Sequence, residues 1–263
     1  MHEDDLGLLL PGQKINYWQI TRDITEERKK YFADLILRLI ENGVCEREAL
    51  KEKCYAAGMT DAEADYVFHP WGGTIRELAE QGKICYVAQE KKILRLCPPF
   101  EPVDFDAALL EIARRYFTHY GPATIKDAAY FLGMPQKIIK EKMARLPLRA
   151  LEAENKTYYY IPKPESSTPD IPRCVFLAGF DPLMLGYEKQ ESLFLPPEHL
   201  RGIFNLAGIV MPALLYNGRV VGKWKKTKNK LLVTLFESLS SADKKHISDA
   251  AERLWGKVQV DYS

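Results

Sequence analysis

The sequence predicts an α+β protein in which tandem winged-helix (helix-turn-helix) modules are followed by a β-rich C-terminal domain. Three observations carry that prediction. Amphipathic helical patterns fill the chain up to residue 161 and end twice in a short pair of β segments. The helix break Ala57-Gly58-Met59-Thr60 is echoed by Leu132-Gly133-Met134-Pro135, as tandem copies of one supersecondary unit would give. Beyond a proline-rich stretch at 162–172, short alternating strands take over.

Taken in order, residues 1–22 resemble the end of an element with nothing before it to pack on, the remnant of a truncated N-terminal module. A first winged helix occupies 23–100. Thr25 opens a helix with Phe32, Leu35, Ile36, Leu39 and Ile40 on one face, closed by Asn42-Gly43. A second helix covers 46–57. Thr60-Asp61-Ala62-Glu63 and Thr74-Ile75-Arg76-Glu77 are capping-box patterns that each start a further helix. Segments 83–87 and 92–96 then read as a β-pair with a polar tip. The second winged helix, 101–161, begins with a helix bearing Phe105, Leu109, Ile112, Tyr116 and Phe117 on its apolar face. Thr124 opens the next helix, Gly133-Met134-Pro135 breaks it, and a third runs over 136–146 before β segments at 148–151 and 157–161. The stiff linker 162–172 leads to the domain 173–263. There, strands are predicted at 175–178, 209–216, 219–226 and 231–236, then a helix over 242–255 capped by Ser240 or Ser241, and a last strand at 257–261. Asn217-Gly218 is the strongest hairpin signal in the chain.

Composition narrows the class. At 263 residues, with 46% hydrophobic and 28% charged, the chain has material for two or three modules with proper cores. No apolar run approaches the ~18–20 residues of a membrane span. The acidic start, His2-Glu3-Asp4-Asp5, is unlike a signal peptide, so the expected location is cytoplasmic and nucleoid-associated. Five cysteines without a CxxC pair read as reduced thiols. The histidines show no metal-ligand spacing, so neither metal nor cofactor is expected. A net charge of +1 means that affinity for nucleic acid must come from a local patch.

Two such patches exist. Lys137, Lys140 and Arg145 lie off the apolar face of Ile139, Met143 and Leu146, on the helix that enters the major groove in a helix-turn-helix. Glu141 interrupts that face, and a plain solvated helix is the competing reading. On the strand 219–226, a period of two puts Arg219, Lys223 and Lys225 on one face, with Val220 and Trp224 on the other. Lys226, Lys228 and Lys230 carry the charge around the turn. Such a hairpin suits phosphate contact; lysines protecting an edge strand from aggregation are the alternative. Asp181, in Gly179-Phe180-Asp181-Pro182, is read first as a turn residue and second as a candidate catalytic residue in an active-site wall. Ser241-Ala242-Asp243-Lys244 spells S-x-x-K but is explained as a helix start.

Three segments in order resemble the AlkZ-like (YcaQ-related) family of bacterial DNA glycosylases: His119-Tyr120-Gly121-Pro122-Ala123-Thr124 with Phe131-Leu132-Gly133-Met134-Pro135; Gly179-Phe180-Asp181-Pro182 with Leu185-Gly186-Tyr187; and Asn217-Gly218-Arg219-Val220-Val221-Gly222-Lys223-Trp224. The resemblance implies tandem winged helices on double-stranded DNA and cofactor-free excision of alkylated or crosslinked bases. Water would attack the anomeric carbon through an oxocarbenium-like state stabilised by proximity and electrostatics. The family's Gln-x-Gln or Gln-x-Asp motif and its Gly-Thr-x-His strand are expected upstream of Met1. Gln259-Val260-Asp261 has the spelling at the wrong end. The expectation is therefore a monomeric DNA-binding chain of glycosylase ancestry, without catalysis on its own. An active glycosylase completed by a missing segment, a transcriptional regulator and a protein-interaction scaffold are the rivals.

Overall fold

In the computed structural model, residues 5–12, 24–70, 72–87, 93–163 and 170–263 are described. Most of the supposed remnant 1–22, the hairpin tip 88–92 and the middle of the linker, 164–169, lie outside the described residues. The chain is a mixed α+β protein that divides into two compact units, Met1–Ile112 and Ala113–Ser263.

The first unit holds α1 (Leu6–Gly12), α2 (Glu26–Glu41), α3 (Arg47–Ala56), α4 (Asp61–Val67), α5 (Gly73–Glu80) and the antiparallel pair β1 (Ile84–Tyr86) and β2 (Leu94–Leu96). Thr25 caps α2 by accepting from the Arg28 amide at 3.3 Å. Phe32, Ile36 and Ile40, four residues apart, are buried against Leu50, Cys54, Leu78 and Leu94. Thr60 and Glu63 form the expected capping box on α4. Glu63 also takes the Arg28 guanidinium at 2.6 and 2.9 Å, and that pairing holds its carboxyl down at about 2. Thr74, by contrast, is no cap. The helix starts one residue earlier, at Gly73, where a Cβ would lie 1.8 Å from the Tyr66 carbonyl oxygen. That close approach fixes the start and, among the described residues, leaves the buried Thr74 hydroxyl without a partner.

In the second unit, α6 (Phe105–His119), which begins in the first, is followed by α7 (Ile125–Leu132), α8 (Gln136–Met143) and the hairpin β3 (Arg149–Ala153) with β4 (Lys156–Tyr160). Ala108, Leu109, Ala113, Tyr116 and Phe117 form the buried face of α6. Phe105, expected on that face, opens the first turn of α6 and is 54% exposed. A single residue ahead of each unit's inner helices bridges to its hairpin: Glu46 to Ile93, and Ala123 to Tyr159.

The rest of the unit is a five-stranded sheet in the order β5 (Cys174–Phe176), β6 (Ala213–Tyr216), β7 (Arg219–Thr227), β8 (Lys230–Leu235) and β9 (Gln259–Tyr262). Only β8 and β9 are parallel, joined by the crossover helix α11 (Ser241–Trp255), which Ser240 caps. Ile247 and Ala251 of α11 bury one face of the sheet against Leu214, Tyr216, Val221, Leu231 and Val233. The other face is covered by the segment containing α9 (Pro182–Leu185) and α10 (Leu200–Ile203), through Met184, Leu195, Ile203 and Phe204 on Ala213 and Val220. The strand expected from 209 begins only at Ala213; residues 204–210 form instead a small closed turn, with Phe204 bridged to Val210.

β7 departs from simple alternation. Leu215 pairs with Val220 but Leu214 pairs with Gly222, so Val221 is an extra residue, a β-bulge. Paired residues share a face. Arg219, opposite Tyr216, is therefore on the α11 side with Trp224, while Lys223 and Lys225 are on the other side with Val220. The expected common face for Arg219, Lys223 and Lys225 is thus split.

Asn217 and Gly218 both take positive φ, +48° and +79°, as a two-residue hairpin of primed type needs. Open space surrounds the Gly218 Cβ position, so the backbone alone resists substitution. Gly218→Val is expected to cost about 1–2 kcal/mol and Gly218→Asn much less, since asparagine tolerates the left-handed region. Thermal denaturation of the two variants beside wild type measures the difference.

Candidate nucleic-acid interface

Both basic patches belong to the second unit. Lys137 and Lys140 on α8 and Arg145 just beyond its end are exposed while Ile139 is buried, and Glu141 is exposed on the side of Lys137 and Lys140. Lys142, on the inner side, is buried. On the sheet, Lys225, Lys226, Lys228 and Lys230 are exposed and Lys223 is half-buried. Lys228 turns the strand at φ +53°, and the Lys226 ammonium donates to its carbonyl at 2.8 Å. The structure brings Lys223, Lys225, Lys226 and Lys228 onto one hairpin and leaves Arg219 at the opposite end of the strand.

Asp181 is the N-cap of α9. Its Oδ1 accepts from the Leu183 amide at 2.9 Å, and Pro182 occupies the first helical position. Its geometry is that of the turn residue the Asp-Pro dipeptide suggested.

Sequence reasoning did not foresee how the motif segments lock together. Asp127, buried on α7, accepts from the Thr124 amide and hydroxyl at 2.8 and 2.7 Å through Oδ2, and from the Glu188 amide at 2.9 Å through Oδ1. The Tyr187 hydroxyl donates to the Tyr120 carbonyl at 2.8 Å, and Tyr116 donates to the Gly186 carbonyl at 2.7 Å. Desolvation in this packing drives the Tyr187 hydroxyl up to about 12 and that of Tyr116 higher still. Gly186 lies flat on Tyr120, where a Cβ would come within 2.5 Å of the ring. Outside this core, Lys126 and Lys156 both hold Glu191. The signal in the sequence was Thr124-x-x-Asp127 as a capping box; its second acceptor is invisible without the fold.

Among the described residues, no group of three or more His, Cys, Asp or Glu side chains could hold a metal ion, and no helix is long and apolar enough to cross a membrane. The described polar features are thus basic surface, buried structural carboxylates and helix caps on a mixed α+β frame.

The sequence profile of the family described as DNA glycosylase AlkZ-like matches residues 9–256, and the chain belongs to that family. A curated relative, the interstrand DNA cross-link repair glycosylase of Streptomyces sahachiroi, is 22% identical over 236 residues, covering 83% of this chain. The chain spans 63% of that relative's length. The solved structure of the Streptomyces sahachiroi DNA glycosylase AlkZ superposes with a TM-score of 0.73 at 20% identity, over 98% of this chain and 76% of that one. The two share a fold.

Asp127→Ala is expected to lower the stability of the second unit by about 2–4 kcal/mol, because it leaves buried donors unpaired. Lys137→Ala, on the exposed face of α8, should change it by less than about 0.5 kcal/mol. Urea denaturation of both variants checks the contrast.

Proposed function

We propose that this chain is the DNA-gripping body of a glycosylase-family protein, holding duplex DNA through α8 and the β7–β8 hairpin. In this reading 23–100 and 101–161 are winged helices and 173–263 is the β-rich domain that follows them. The repeated order supports it: a helix, a single bridging residue, inner helices, then a hairpin bridged just ahead of its second strand in one unit and within it in the other. The observation that carries the DNA reading is the row of exposed lysines, Lys225, Lys226, Lys228 and Lys230, on one hairpin of a chain whose net charge is only +1. The target class we infer from the relatives is duplex DNA with alkylated or crosslinked bases.

We further infer that this polypeptide by itself binds without excising. A cationic alkylated base is already a good leaving group, so the protein's share of the chemistry is a held water and an electrostatic partner for the oxocarbenium-like state. The Asp181 carboxylate is engaged in capping α9. In the Gln259-x-Asp261 string, the Gln259 amide is turned onto Asp261 at 3.0 Å, on exposed positions of the terminal strand. An active glycosylase completed by a further segment is the reading to separate from this one.

Fluorescence anisotropy on duplex DNA at two salt concentrations tests the binding. Lys223→Glu with Lys225→Glu should weaken affinity uniformly across sequences and lower the salt slope by about two units, one for each lost phosphate contact. Unchanged binding by the double variant rules out the hairpin. Incubation with DNA carrying N7-alkylguanine should give no free base above the spontaneous background. Release that Asp181→Asn abolishes would make Asp181 catalytic and overturn the non-excising reading.

A further inference from the structure

The turn at 204–210, which the strand pattern concealed, places apolar side chains where a folded protein does not ordinarily leave them. Phe204 bridges Val210, the Asn205 amide donates to the Ile209 carbonyl at 3.1 Å, and the Asn205 side chain accepts from the Ile209 amide at 2.8 Å. The turn is therefore closed and built, yet Leu206 at its tip, followed by Ala207 and Gly208, is 90% exposed. Next to it stands Phe180, whose amide donates to the Val210 carbonyl at 3.2 Å. Phe180 is 50% exposed in the left-handed region at φ +57°, and Ile209 is 39% exposed.

The sheet register fixes where this cluster lies relative to the lysines. β5, β6 and β7 are antiparallel neighbours, with Leu177 and Ala213 exchanging amide bonds and Ala213 opposite Lys223. Ahead of Ala213 the Pro212 carbonyl still accepts from the Trp224 amide at 3.1 Å, so the chain runs back from β6 toward Val210 in the direction in which β7 runs on from Lys223 to Thr227. The apolar turn and the basic hairpin tip therefore both lie toward the same end of the sheet, with Thr227 about 13 Å beyond Lys223 at ~3.3 Å per residue. Asn217-Gly218 closes the other end. At the base of the turn, the Lys189 ammonium sits 5.6 Å from the Phe204 ring centre. Of the acids on adjoining elements, Asp181 is bonded to the Leu183 amide, and Asp261 lies on β9 beyond Leu232, which faces Lys225.

We propose that Leu206 is a wedge that enters a base step of duplex DNA, backed by Phe180 and Ile209, while the lysines from Lys223 to Lys230 take the flanking phosphates. Three side chains of this exposure offer roughly 300 Å² of apolar surface, well below the ~800 Å² per partner of a standard protein interface. A narrow tip with one large apolar side chain ahead of two small residues, at the same end of the sheet as a row of ammonium groups, matches the composition of wedges that unstack base pairs. Unstacking is also the event that any enzyme acting on a base inside a duplex requires. This inference rests on the DNA-binding reading and adds to it a residue and a deformation.

The test uses a duplex with one N7-methylguanine flanked by 2-aminopurine, whose fluorescence rises when it unstacks. Binding of the wild-type chain should raise that signal. Leu206→Ser, which folds normally because the side chain is solvent-exposed, should bind no more than about tenfold more weakly, with the same salt slope, and lose most of the rise. Leu206→Phe should retain it. Saturated binding without a rise, or an equal rise with Leu206→Ser, overturns the wedge and leaves the DNA-binding reading standing. Absence of any binding in anisotropy overturns both.

Discussion

The architecture of the second unit depends on how a buried carboxylate is satisfied. Asp127 is buried, so its carboxylate oxygens need donors within the protein. Thr124 supplies two of them and thereby starts α7; the Glu188 amide supplies the third and thereby seats the 186–195 segment. Once Glu188 is held, Gly186 is drawn onto Tyr120 and Tyr187 reaches the Tyr120 carbonyl. The same segment continues to Phe194, whose carbonyl takes the Val220 amide at 2.7 Å, and to Leu195, which is buried against the sheet. A helix start is thus connected by hydrogen bonds to the strand that carries the lysines.

Much of this was legible in the sequence, for reasons that are local. Thr25, Thr60, Thr124 and Ser240 each cap the helix they precede, because capping needs only a hydroxyl and an amide a few residues away. Asn217-Gly218 turns the chain because both residues tolerate positive φ. The family resemblance, carried by three short motifs, proved sound over nearly the whole chain.

The misreadings share a cause, which is dependence on a distant partner. Thr74 has the capping spelling, yet close contact between Gly73 and Tyr66 decides where that helix begins. The apolar run from Ile209 looks like strand, but Asn205 takes the Ile209 amide and keeps the chain in a turn until Ala213; Asn205 and Gly208 were the turn residues that could have signalled it. Nothing in Asp127 itself reveals that its second oxygen serves Glu188. Nor does the period of two along β7 reveal an extra residue, since a bulge is defined only against the partner strand.

That extra residue acts as a phase shifter. Upstream of it, odd-numbered positions of β7 look toward α11; downstream, even-numbered ones do, which is how Val221 and Trp224 come to share a core although they are an odd number of positions apart. Removing Val221 would restore an unbroken pleat and leave Arg219, Val220, Gly222 and Lys223 opposite Tyr216, Leu215, Leu214 and Ala213 as now, so nothing beyond it would turn over. A residue inserted downstream of the bulge has no such slack to take up. Unless a second bulge opened, it would carry lysines toward Trp255 and tryptophan toward water. The hairpin's charge pattern is therefore written in its spacing as much as in its residues, and a one-residue insertion could erase it without altering a single lysine.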